Sequence, residues 1–252
     1  MSSLSANWKP NLRDFNKLAR PLRLKAFGPA GLVAGAFALV LAAALTVLPS
    51  PAQAQAAPAA KPTAAALSDT VLIVGDSLSA EYGLRRGTGW VPLLEKKLAA
   101  EKRPVKVINA SISGDTTSGG RSRLAGLLAQ HKPTIVVIEL GGNDALRGLP
   151  LDMTEKNLLA MTQASKKAGA KVLLLGMQVP PNYGGTYGKT FAGLFSKVAQ
   201  AEKVAVVPFF LKGIADVDDA ESRFQADRIH PNQQSQATML ANVWPDLNKL
   251  LR

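Results

Sequence analysis

From Thr70 onward the chain alternates between two kinds of segment, and that alternation leaves few folds open. The short runs TVLIV, VKVIN, TIVVIEL, KVLLLGM and VAVVPFF are rich in aliphatic and β-branched residues and are near-continuously apolar. Strands of that kind are buried on both faces, unlike the in-out alternation of a sheet with one wet face. Between them lie longer amphipathic stretches, at Trp90 to Lys102, Thr117 to Gln130, Thr154 to Ala168 and Lys189 to Glu202, and a last one runs from Pro231 to Leu250. Strand and helix in turn predict an α/β fold, a three-layer α/β/α sandwich around a five-stranded parallel sheet. The chain contains no internal repeat.

The residues before Thr70 have a different character. Met1 to Lys25 carries six basic residues against one acid, and the uncharged run AFGPAGLVAGAFALVLAAALTVL follows. Pro49 and Pro51 end that run, and Ala54-Gln55-Ala56 offers a small-x-small cleavage site. Residues 1–56 therefore read as a signal peptide, with an N-terminal membrane anchor as the alternative. Residues 57–68 are Ala/Pro-rich and read as a linker, leaving 69–252 as one folded domain. Export predicts a periplasmic or secreted protein, or an inner-membrane-anchored one if the leader is retained. The formal charge of the whole chain is +12, and +7 remains once the leader's net five positive charges are set aside. No basic stripe interleaved with aromatics accompanies that excess, so nucleic acid is not an expected partner. Transient contact with anionic membrane lipid is compatible with it. Cysteine is absent, which excludes disulfides and thiolate metal sites, and two distant histidines make a catalytic zinc improbable.

Parallel α/β sheets bind and react in the crevice outside the carboxyl ends of their strands. Four polar clusters stand at such ends: Gly75-Asp76-Ser77, NASISGDTT (109–117), GGND (141–144) and DRIHPN (227–232). Acyl transfer needs a nucleophile, a base, a carboxylate to orient the base, and donors for the developing oxyanion. Ser77 is the candidate nucleophile, exposed by the glycine turn and placed where Leu78 to Gly83 would open a helical turn whose dipole favours negative charge. Of the two histidines, His131 falls at the amino edge of the sheet and reads as a residue closing a helix. His230 is the candidate base, with Asp227 three residues before it to fix the tautomer; Asp-x-x-His alone reads more readily as a helix-entry cap. Gly114 can present a backbone N–H and Asn143 a side-chain amide, although either alone is also explained by a turn or a cap. Ser111, Ser113, Asp115 and Asp144 read as loop-fixing residues, and Asp76 as an acceptor for the turn beneath Ser77.

GDSLS, NASISGDTT, ELGGND and DRIHPN, in that order, resemble the four blocks of the GDSL, or SGNH, hydrolases. IELGGNDALRG and GMQVPPNYG are similar to the bacterial branch of multifunctional arylesterases, acyl thioesterases and lysophospholipases, which are typically periplasmic. The resemblance spans essentially everything after the linker and implies a flavodoxin-like SGNH hydrolase fold. It implies Ser77 as nucleophile, Asp227 and His230 as its partners, and the Ser77 and Gly114 N–H groups with the Asn143 amide as oxyanion hole. No cofactor or metal is implied. Arg228 departs from the branch, which more often has glycine there, and is a candidate for narrowing the entrance or recruiting an anionic group.

The substrate end is read from Met177 to Phe191, a Pro/Gly-rich loop after the fourth strand. Met177, Tyr183 and Tyr187 are candidate substrate contacts, while Phe191 fits a groove or the core equally well. GGTYGKT in this loop is one residue short of a phosphate-binding loop, and G-x-S-x-G is absent, which argues against the ordinary α/β-hydrolase elbow. The expected activity is hydrolysis of small acyl esters and thioesters, including aryl esters and lysophospholipids, through an acyl-serine. The alternatives are an O-acetyl esterase of envelope polysaccharide and a non-catalytic lipid- or glycan-binding module on the same fold.

Overall fold

The structure, a computed structural model, describes residues 68–252, so the expected leader and nearly all of the expected linker lie outside the described residues. Five parallel strands form one sheet: β1 (Thr70–Gly75), β2 (Lys106–Asn109), β3 (Ile135–Glu139), β4 (Lys171–Leu175) and β5 (Ala205–Val207). Their spatial order is β2-β1-β3-β4-β5. The three inner strands, β1, β3 and β4, are the ones whose residues are buried almost throughout, and the edge strands β2 and β5 are only half-buried. Continuous apolar sequence thus marks the centre of the sheet, as burial on both faces requires.

Among the described residues, six helices cover the sheet. α1 (Trp90–Ala100) packs beside α6 (Gln236–Leu250) on one face, and α2 (Thr117–His131), α4 (Leu151–Lys167) and α5 (Gly185–Glu202) lie side by side on the other. The short α3 (Gly142–Leu146) follows β3 directly. Thr116 caps α2 by accepting the Gly119 N–H, and each long helix turns its apolar stripe inward, as Phe191, Leu194, Phe195 and Val198 do on α5.

Three boundaries differ from the expected ones. α4 begins at Leu151 rather than Thr154, immediately after Pro150. α5 begins at Gly185 rather than Lys189, so the expected long loop shrinks to residues 176–184 with a 3₁₀ turn at Pro181–Tyr183. Burial of Phe191 and Phe195, packed edge to face at 5.5 Å, outweighs the poor helix propensity of Gly185 and Gly188. At the C-terminal end, Pro231 does not open a helix. It bridges to Phe224, Asn232 caps a 3₁₀ turn at Gln233–Ser235, and α6 starts only at Gln236.

The strand order decides where a site can form. The chain leaves β1 for β2 on one side and later returns to place β3 on β1's other side, so connections diverge between the ends of β1 and β3. Crevices in open parallel sheets open at such switch points. Ser77 lies just beyond β1 and Asn143 just beyond β3.

Candidate active site

β1 ends at Gly75, and the chain turns at once. Ala80 N–H donates to the Asp76 carbonyl at 3.0 Å and Tyr82 N–H to the Ser77 carbonyl at 3.3 Å, after Glu81 has taken a left-handed φ of 60°. This is a succession of turns rather than the expected helical turn, so no helix dipole acts on Ser77. The Asp76 side chain holds the bend instead, accepting the Leu78 N–H at 3.0 Å. Gly75 is required by crowding: a Cβ there would lie 2.7 Å from Glu139 Oε2 and 2.9 Å from both Ser79 Oγ and Ser111 Oγ.

The Ser77 hydroxyl lies 2.8 Å from Nε2 of His230, 153 residues away in sequence. Nδ1 of the same ring is 2.6 Å from Asp227 Oδ2. Asp227 Oδ1 accepts the N–H groups of Ile229 at 3.0 Å and His230 at 3.1 Å, so the three-residue spacing closes a local turn around the carboxylate. Burial acts to raise the Asp227 pKa, but those two N–H groups and the imidazole outweigh it and hold the carboxyl below its ordinary value. An ionised Asp227 accepting Nδ1–H leaves Nε2 as an acceptor for the serine proton. Tyr82 packs its ring against the imidazole at 4.5 Å between centroids.

The oxyanion candidates sit around the same point of the fold. The loop after β2 is pinned to the end of β1, with Ile112 N–H donating to the Gly75 carbonyl at 3.0 Å. Gly114, two residues on, has φ +79°, and its carbonyl accepts Arg147 Nη2 at 2.8 Å. Neither the Ser77 nor the Gly114 N–H donates to another group among the described residues. Asn143, buried on α3, gives one amide hydrogen to Asp76 Oδ2 at 3.0 Å, which leaves the other unspent.

Beneath the turn lies a polar network that sequence reasoning missed. Glu139, the last residue of β3, is 1% exposed, and its Oε2 accepts the Ser79 hydroxyl at 2.7 Å and the Asp76 N–H at 3.2 Å. Ser79 Oγ in turn accepts the indole N–H of Trp90 at 3.1 Å. A signal for it was present: Glu139 is the one charged residue inside the apolar run TIVVIEL. Burial raises both carboxyls. Asp76 rises to about 7, with Leu78 N–H and Asn143 opposing and Asp115 and Asp144 reinforcing. Glu139 rises well above its ordinary value through burial and then the charge of Asp76.

Of the expected loop-fixing residues, the two aspartates hold partners, whereas the buried Ser111 hydroxyl has none among the described residues. Asp115 pairs with Arg123, and Asp144 accepts the N–H and hydroxyl of Thr117. His131 closes α2 at the amino edge of the sheet. Two of the candidate substrate contacts have other partners in the fold. Met177 is buried in the hydrophobic core. Arg228 pairs with Glu221, its backbone at a left-handed φ of 56° that favours glycine. Tyr183 and Tyr187 stack at 6.5 Å, and the Tyr187 hydroxyl donates to the Ala145 carbonyl at 3.4 Å, so the pair leans on α3. Phe191 belongs to the core. Ser77 borders a shallow surface depression lined in part by Leu78, Tyr82, Leu84, Gln225 and His230.

Residues 73–237 match the model of the GDSL-like lipase/acylhydrolase family. The chain belongs to that family. Esterase TesA of Pseudomonas aeruginosa is 52% identical over 189 residues, covering 75% of this chain and 92% of TesA. Thioesterase 1/protease 1/lysophospholipase L1 of Escherichia coli is 42% identical over 172 residues, or 68% of this chain and 80% of that protein. Among solved structures, the psychrotrophic esterase EstA of Pseudoalteromonas sp., inhibited by monoethylphosphonate, superposes with a TM-score of 0.68 at 41% identity, covering 72% of this chain and 98% of EstA. The five-stranded sheet is therefore the SGNH hydrolase fold, and this GDSL-family protein is a hydrolase of carboxylic esters.

Proposed function

We propose that this GDSL-family esterase works through a covalent acyl-serine on Ser77, with His230 as general base and acid and Asp227 as its orienting carboxylate. The observation that carries the reading is the unbroken relay of short contacts, 2.8 Å from Ser77 to His230 and 2.6 Å from His230 to Asp227. His230 Nε2 takes the hydroxyl proton as Ser77 Oγ bonds to the acyl carbon, and Asp227 stabilises the imidazolium. The oxyanion of the tetrahedral intermediate is received by the unspent N–H groups of Ser77 and Gly114 and by the second amide hydrogen of Asn143, each donor contributing about 3 kcal/mol to the transition state. The imidazolium then protonates the leaving alcohol or thiol; water, deprotonated by the same histidine, attacks the acyl carbon, and collapse releases the acid as the imidazolium returns that proton to Ser77 Oγ.

The substrates fit a shallow, open site rather than a deep pocket: aryl esters, acyl thioesters and lysophospholipids, whose acyl chains lie along the surface next to Tyr82. The names of the E. coli relative, a thioesterase and lysophospholipase, and of an arylesterase from Vibrio mimicus support this range. The basic and apolar N-terminal segment supports action in the periplasm, with brief contact to membrane lipid. Steady-state hydrolysis of p-nitrophenyl acyl esters, acyl thioesters and lysophospholipid by wild type and Ser77→Ala tests the reading. All activities should vanish together in the variant while it stays folded, and retained turnover of any of them overturns the single-serine mechanism. Rates on acetylated glycan exceeding those on aryl esters would reassign the substrate class.

A further inference from the structure

Two carboxyl groups lie buried beneath the nucleophile turn, and their hydrogen bonds are unequal. Asp76 accepts on both oxygens, from Leu78 N–H on Oδ1 and from the Asn143 amide on Oδ2. The Leu78 N–H can only donate, and the Asn143 amide as placed donates through Nδ2, so a proton on either Asp76 oxygen would compete with one of the bonds. Glu139 accepts both of its hydrogen bonds on Oε2, and its Oε1 accepts from no group among the described residues. Next to it, Ser111 Oγ is a buried side-chain oxygen without a hydrogen-bond partner, and it converges with Ser79 Oγ and Glu139 Oε2 on the space above Gly75.

Two carboxylates desolvated together do not both ionise without a compensating cation. The charged groups facing the pair are few. Asp115 comes from the loop after β2 and Asp144 from α3, both of which oppose ionisation of Asp76. Arg123 from α2 reaches the Gly75 carbonyl at 3.4 Å but is paired with Asp115. α1 contributes the neutral indole of Trp90.

We propose that Glu139 is a positioning residue of this esterase that works as a neutral carboxylic acid: its Oε2 anchors Asp76 and Ser79, its other oxygen carries the proton, and Asp76 is left as the anion that aims the Asn143 amide. The role of Asn143 in that statement rests on the proposed oxyanion hole; the location of the proton does not. Burial raises both carboxyls, as expected where two desolvated carboxyl groups do not both hold a charge. Glutamine reproduces a neutral carboxylic acid, with a carbonyl for the Asp76 N–H and Ser79 hydroxyl and an NH₂ in place of the protonated oxygen.

Infrared difference spectroscopy of the whole protein at neutral pH reads the proton directly, since a protonated carboxyl stretches apart from carboxylates. Wild type and Ser77→Ala should both show that band, Asp76→Asn should keep it, and Glu139→Gln should remove it. Kinetically, Glu139→Ala should lose kcat about tenfold or more on a p-nitrophenyl ester with KM little changed, and Glu139→Gln should recover it to within about threefold of wild type. No band in wild type, a band that survives Glu139→Gln, or a glutamine variant as impaired as the alanine variant overturns the proposal. Should Glu139→Ala fail to fold, the band and its loss in Glu139→Gln still decide it. Inactivity of Ser77→Ala bears on the nucleophile alone, because its band is expected either way.

Discussion

Replacing Gly75 by alanine adds one carbon to the most crowded polar point of the molecule. The new Cβ would stand 2.7 Å from Glu139 Oε2 and 2.9 Å from Ser79 Oγ and Ser111 Oγ. Ordinary contact requires each oxygen to retreat by roughly half an ångström or more. Two of the three are joined by the 2.7 Å bond from Ser79 to Glu139, which also receives the Asp76 N–H, so retreat loosens the base of the turn. Overpacking of this kind costs about 1–3 kcal/mol, and the weakened buried hydrogen bond adds about 1 kcal/mol. A nucleophile displaced with its turn loses roughly 10–10²-fold in kcat, since misplacement by about an ångström is worth two orders of magnitude. Urea denaturation and p-nitrophenyl ester kinetics measure the two effects. Ser79→Ala alone should destabilise by orphaning the Trp90 indole, yet in the Gly75→Ala background it should recover part of the loss by removing one colliding oxygen. A Gly75→Ala protein as stable and as active as wild type, or strictly additive losses in the double variant, would refute the reasoning.

Other outcomes follow from the same geometry. Asp227→Asn should lower kcat by about 10³–10⁴-fold by releasing the tautomer of His230, measured on the same ester. Because the Asp227 pKa is depressed in the fold, its carboxylate stabilises the protein above the ordinary value of 3.8 and ceases to do so as pH falls through the lower folded value. Acid denaturation of Asp227→Asn should therefore lack that portion of the slope. Asn143→Ala should cost about 10²-fold in kcat, and an effect confined to KM would contradict its role as an oxyanion donor. Arg228→Gly should leave kcat/KM for an uncharged aryl ester within about threefold of wild type, because its guanidinium is engaged by Glu221; a large loss would return it to the substrate site.

How far the sequence reached depends on how local each determinant is. β1, β3 and β4 were legible because burial on both faces leaves an uninterrupted apolar signature, and the ends of α1 and α2 fell within two residues of expectation. The start of α5 was obscured by Gly184, Gly185 and Gly188, whose propensity is overruled by the burial of Phe191 and Phe195. Pro231 suggested a helix entry, but its bridge to Phe224 involves a partner seven residues away that periodicity does not reveal. Ser77, Asp227 and His230 were reached through ordered motifs, since no local rule joins residues 153 apart. Tyr82 and Trp90 were missed for the same reason without a motif to help, Ser79 was missed although it ends the GDSLS block, and Glu139 was missed although its lone charge within a buried strand was a signal. Arg228 drew attention for its length, when the constraint at that position lies in its backbone.

The central claim is that one hydroxyl, activated by His230, takes the acyl group. Reaction of the intact protein with a fluorophosphonate, followed by peptide mass spectrometry, tests it most directly. A single adduct on Ser77, absent from Ser77→Ala and greatly slowed in His230→Ala, is the predicted result. An adduct on another residue, or none in a preparation that hydrolyses ester at full rate, would contradict the account.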